Sequence, residues 1–140
     1  MMPRSVKQAA SRTGLPALIL LVLLALAAVP ASAEDGDSRY VTLDSLVVNL
    51  EDPGAARYLQ TNIQLETASQ EDADRVRDHM PAVRDRLIHV MGGRDPAEVR
   101  RSDGREALRD EAVEELRELM EELAGAPLID ALYFSNFIIQ

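Results

Sequence analysis

Two periods divide the chain. From Tyr40 to Leu50, "YVTLDSLVVNL" alternates around Val41, Leu43, Ser45 and Val47 and is rich in β-branched residues, which predicts a strand. "RYLQTNIQLET" alternates more cleanly: Leu59, Thr61, Ile63 and Leu65 share one face, and Gln60, Asn62, Gln64 and Glu66 the other. Between them lies Asp52-Pro53-Gly54, a turn in which proline pre-sets φ and glycine tolerates the left-handed region. The two strands are expected to form a hairpin.

After Ser69 the period becomes helical. Val76, Met80, Val83, Leu87 and Val90 follow at steps of four and three, so they form one helical face. Ser69 and Asp72 stand at the spacing of a capping box. Pro81 removes a hydrogen bond and sets its ring against the carbonyl of Arg77, which predicts a kink or two shorter helices. Gly92-Gly93 ends the run, and Asp95-Pro96 starts a single turn through Arg100. A second long helix begins near Ser102, buries Leu108, Ala112, Leu116, Leu119 and Leu123, and stops at Gly125. The last segment, "LIDALYFSNFIIQ", has little polar relief and reads as an interior strand with Phe134 and Phe137 on opposite faces. The expected fold is α+β: a small antiparallel or mixed sheet with two long helices packed on one face, in the order β-β-α-α-β with a short extra turn.

The N-terminal quarter is different. A basic lead carrying Arg4, Lys7 and Arg12 precedes a strictly apolar stretch, Ala17 to Val29, and then "PASA". This is the layout of a secretory signal peptide with cleavage after Ala33. As a helix, that stretch would span about 20 Å against a bilayer core of about 30 Å. Pro30 interrupts the extension it would need. The alternative is an uncleaved anchor over residues 15–33. Either way the basic flank stays inside, and the rest is expected in the periplasm, soluble or anchored in the inner membrane. The organisation is thus 1–33 signal peptide or anchor, 34–39 acidic linker and 40–140 folded domain.

Charge and composition narrow the chemistry. The 140 residues carry a formal charge of −9, and without the three cations of the leader the remainder carries −12. Such a surface repels phosphate backbones, which argues against nucleic acid. There is no cysteine, so disulfides and thiolate metal sites are excluded. His79 and His89 fall on different helical faces, "MGGRDP" lacks the lysine and hydroxyl of a phosphate loop, and no serine sits in a G-x-S-x-G context. No cofactor, metal or catalytic residue is expected. The sharpest feature is an acidic stripe, Glu114, Glu118, Glu121 and Glu122, near the end of the second long helix, with Arg117 placed to pair with Glu114 or Glu121. It reads either as a solvated face or as a docking surface for a basic partner. In a neighbouring copy, Arg84, Arg86, Arg100 and Arg101 would supply that basic face head to tail, and an exposed Phe137 would add a contact.

Five pieces resemble the FliL family of flagellar basal-body-associated proteins over residues 40–140. They are "YVTLDSLVVNL", "RYLQTNIQLE", "PAVRDRLIHVM" with Pro81, Arg84 and Asp85, "SDGREALRDE", and "LYFSNFIIQ" ending at Gln140. The resemblance implies a periplasmic domain with a stomatin/prohibitin-like fold, able to form homo-oligomeric rings and lacking enzymatic activity. It also implies association with the basal body and the flagellar stator proteins, whose active arrangement the ring would favour, and so a role in motility. Beside it, residues 1–33 imply a signal-peptide-bearing form of the family. A scaffold or oligomerising adaptor of the same fold, serving another envelope assembly, is the alternative.

Overall fold

The computed structural model describes residues 38–140. The leader or anchor read over residues 1–33, and the linker as far as residue 37, lie outside the described residues. Three strands form one antiparallel sheet in the order β1-β2-β3: β1 is Tyr40–Leu50, β2 Arg57–Thr67 and β3 Ile129–Ile139. Four helices intervene before β3, namely α1 (Gln70–Asp78), α2 (Met80–Met91), α3 (Pro96–Arg100) and α4 (Ser102–Ala124). They cover one face of the sheet, and the core lies between.

The hairpin closes as the residues dictate. Asp52 Oδ1 accepts the Gly54 amide at 2.9 Å, and Arg57 Nε reaches Asp52 Oδ2 at 3.2 Å. β2 buries Leu59, Thr61, Ile63 and Leu65, as its alternation predicts.

β1 departs from its expected pattern. The register steps from Leu43↔Ile63 to Leu46↔Thr61, so β1 carries one residue more than β2 across that interval. Ser45 takes the extra place with φ 50°, and its amide donates to Asn62 Oδ1 at 2.9 Å. A bulge of this kind switches the faces of everything beyond it. Val41 and Leu43 point inward, then Leu46, Val48 and Leu50, while Ser45 and Val47 are exposed.

Of the kink or the two shorter helices expected after Ser69, the structure has two helices. Ser69 caps α1 by accepting the Asp72 amide at 3.2 Å. The helix breaks at His79 (φ −109°, ψ 19°), and Pro81 sits in the first turn of α2, where its missing N–H leaves no bond unmade. Asp95 caps α3 through the Ala97 amide at 2.8 Å. The return to β1 is fixed by the Gly93 amide on Asn49 O (2.9 Å) and the Glu51 amide on Arg94 O (3.0 Å).

α3 and α4 meet so closely that only glycine fits between them. A Cβ at Gly104 would stand 2.1 Å from the Glu98 carbonyl oxygen. α4 buries Leu108, Ala112, Leu116, Leu119 and Met120. Leu123, expected on the buried face, is exposed, and Met120 is the last buried residue of the helix.

β3 is an edge strand, not the interior one expected, because β2 holds the centre. A second bulge explains its apolar density. The register steps from Asn62↔Ser135 to Gln60↔Ile138, with Asn136 at φ 51°. Phe134 and Phe137 therefore lie on the same face, both packed against the core, rather than on opposite faces.

Candidate interaction surfaces

The acidic stripe is displayed as a row on α4. Glu114, Glu118, Glu121 and Glu122 are all exposed, because the apolar positions of the helix turn the other way. Arg117 pairs with Glu114 at 3.0 Å and also donates through Nε to the Ile129 carbonyl at 2.8 Å, tying α4 to the start of β3. Glu118, Glu121 and Glu122 have no ion pair among the described residues. The end of α4 is balanced by a residue that pattern reading missed: Arg75 of α1 donates to the Ala124 carbonyl at 2.5 Å, placing a cation at the negative end of the helix. No spacing rule links residues 49 apart, so only the fold brings these two together.

Of the four basic residues expected to face that stripe in a neighbouring copy, Arg84, Arg86 and Arg101 have partners within the chain, while Arg100 is exposed with no side-chain partner among the described residues. Arg84 donates to the Asp44 carbonyl at 2.8 Å, where the β1 bulge exposes it. Arg86 pairs with Glu115 at 2.8 Å, and Arg94 with Glu111 at 2.6 Å, so two ion pairs bolt α2 to α4. Arg101 is held by Asp103. Asp103's carboxyl accordingly lies below the usual aspartate range, chiefly through that hydrogen bond.

Phe137 is half-buried. Its ring meets Phe134, and the Arg105 guanidinium stands over it at 5.8 Å from the centroid. Phe134, Phe137 and Tyr133 line a shallow opening of about 350 Å³ with Ser102, Arg105, Glu106 and Arg109. A second opening, of about 420 Å³, continues between α4 and β3 past Arg109, Asp110, Glu114 and Arg117. Cations and carboxylates alternate along this groove, so it selects for neither sign.

The outer face of the sheet was not anticipated as a surface of interest. Pairing places Val47, Gln60 and Ile138 in one row, Asn49 and Tyr58 in the next, and Thr42, Gln64 and Tyr133 toward the other end. Val47 (53%), Tyr133 (48%), Ile138 (46%) and Tyr58 (45%) make up four of the six exposed large hydrophobic residues among those described. The one charged side chain in the paired rows of β2 here is Glu66, which is held by Arg39 at 2.8 Å and by the Tyr133 hydroxyl at 2.7 Å. Glu66 pushes the Tyr133 phenol above its ordinary value by accepting a hydrogen bond from its hydroxyl. In a strongly acidic chain this is a neutral, amide- and tyrosine-rich face. The alternating amides of β2 were its sequence signal.

Among the described residues no group of His, Asp and Glu is arranged to hold a metal ion. His89 lies on the surface, with Nδ1 2.8 Å from the Asp85 carbonyl oxygen. No described helix is long and apolar enough to cross a membrane.

The family model described as flagellar basal body-associated protein FliL matches residues 40–140. The flagellar protein FliL of Aquifex aeolicus (strain VF5) is 33% identical over 94 residues, covering 67% of this chain and 56% of that relative. The chain thus spans little more than half the length of the curated relative it matches.

Proposed function

We propose, from the premise that this chain belongs to the FliL family, that it acts as a non-catalytic basal-body protein of the periplasm which supports the motor stator, and so motility and swarming. FliL is a flagellar structural or accessory family and not a known enzyme family. One observation carries the reading furthest. The matched span, 40–140, begins at the first residue of β1 and runs one residue past the end of β3, so the folded domain and the family module coincide.

On this reading the domain works by contact. Copies associate into a ring around the periplasmic part of the stator and favour its active arrangement. The stripe Glu114, Glu118, Glu121 and Glu122 docks a basic surface of the partner. Arg84, Arg86 and Phe137 border neighbouring copies while keeping their internal contacts. Cleavage after Ala33 would make the chain a diffusible component, and retention of residues 15–33 would hold it in the inner membrane beside the stator.

The test is co-purification of stator proteins with the full-length chain from cell envelopes, compared with the Glu118→Lys, Glu122→Lys double variant. Stator proteins should accompany the wild type and be depleted in the variant. Recovery of a different envelope assembly in their place would favour the scaffold alternative.

A further inference from the structure

The chain enters the domain through Ser38, Arg39 and Tyr40, and each of these residues is gripped. Thr67, fully buried at the end of β2, donates its amide to the Arg39 carbonyl at 3.0 Å, and its hydroxyl lies 2.7 Å from the same oxygen. Arg77 of α1 donates through Nη2 to the Tyr40 carbonyl at 2.8 Å and the Ser38 carbonyl at 3.3 Å, while its Nη1 is held by Asp74 at 2.6 Å. The Arg39 side chain pairs with Glu66 of β2, whose second carboxylate oxygen accepts from Tyr133 of β3. The Tyr40 amide donates to Ser38 Oγ at 3.2 Å.

Strand ends at a chain entry ordinarily fray, because each outer hydrogen bond can open alone. Here three consecutive carbonyls are held by side chains from α1 and β2, and Arg39 is tied through Glu66 to β3. The contacts come from the helix-covered side of the sheet through Arg77 and from the uncovered side through Glu66 and Tyr133. Releasing the stretch from Ser38 to Tyr40 requires the Arg77 and Arg39 charge-assisted bonds to break.

We propose that this junction is a clamp that fixes Ser38, Arg39 and Tyr40 to the sheet and to α1, so that a force entering the domain at Ser38 reaches all three strands and α1 instead of peeling β1. Its role in the motor rests on the basal-body reading above; its existence does not.

Hydrogen exchange on the full chain decides the clamp. Arg77→Ala should speed exchange at the Val41, Leu65 and Thr67 amides, which lie in the ladder between β1 and β2, by about tenfold or more, the scale of losing charged hydrogen bonds. The Leu59 and Ile63 amides should keep their wild-type rates. Arg77→Lys, which keeps the charge but loses the fork that joins Asp74 to the two carbonyls, should fall between. A strain carrying Arg77→Ala should swim like one lacking the chain, with normal protein levels and circular dichroism. Unchanged local exchange would overturn the clamp. Faster exchange with full motility would overturn its transmission of force. Normal swimming without the chain at all would sink both the basal-body reading and the clamp's part in it, while the exchange result would still stand on its own.

Discussion

Phe134 and Phe137 lie edge-to-face, their ring centroids 5.3 Å apart and their planes at 64°. Residues three apart on a regular strand point to opposite faces, so this contact exists because Asn136 takes φ 51° between them. Asparagine tolerates that region and a β-branched residue does not. Asn136→Val should therefore cost about 1–2 kcal/mol, measured by urea unfolding, and Asn136→Gly should be close to neutral. The valine variant should also lose the aromatic ring-current shifts of the pair.

Gly104 is fixed by the approach of α3. A methyl group there would meet the Glu98 carbonyl at a distance no Cβ contact allows. Gly104→Ala, normally favourable within a helix, should instead destabilise the domain by about 2–3 kcal/mol, as overpacking does. Thermal melts of the two proteins decide it. A gain in melting temperature would show that α3 is free to move away.

The hairpin turn should open in acid. Asp52's carboxyl is held below the usual aspartate range, first by the Gly54 amide and then by Arg57. Its contribution is present above the ordinary aspartate value and is lost as pH falls through the depressed one. The Gly54 amide resonance should thus titrate at a pH below that of an unstructured aspartate, and Asp52→Asn should abolish the transition. Tyr133 works in the opposite sense. Its phenol is raised by Glu66, so the contact is complete below the ordinary tyrosine value and lost as pH rises through the raised one.

Elements whose period runs unbroken were legible in the residues. β2, the break near Pro81, the caps Ser69 and Asp95 and the stop at Gly125 all follow from alternation, helical spacing or the chemistry of one residue. What escaped were the insertions. Period counting assumes a constant step, and Ser45 and Asn136 each add one residue, marked only by a small polar residue in an apolar strand. The first misplaced Val47, and the second misplaced Phe137 and made an edge strand look interior. The exposure of the acidic stripe was legible because it opposes the apolar face of α4. The partners of Arg84 and Arg86 were not, because they lie 40 and 29 residues away in sequence.

On the basal-body reading proposed above, the chain supports the working flagellar motor. The most direct measurement is swimming speed, over a series of medium viscosities, of a strain lacking the chain and of the same strain supplied with it. The deletion should swim more slowly, with the deficit growing as load rises, and the full-length chain should restore the wild-type curve. Identical curves with and without the chain at every viscosity would contradict it.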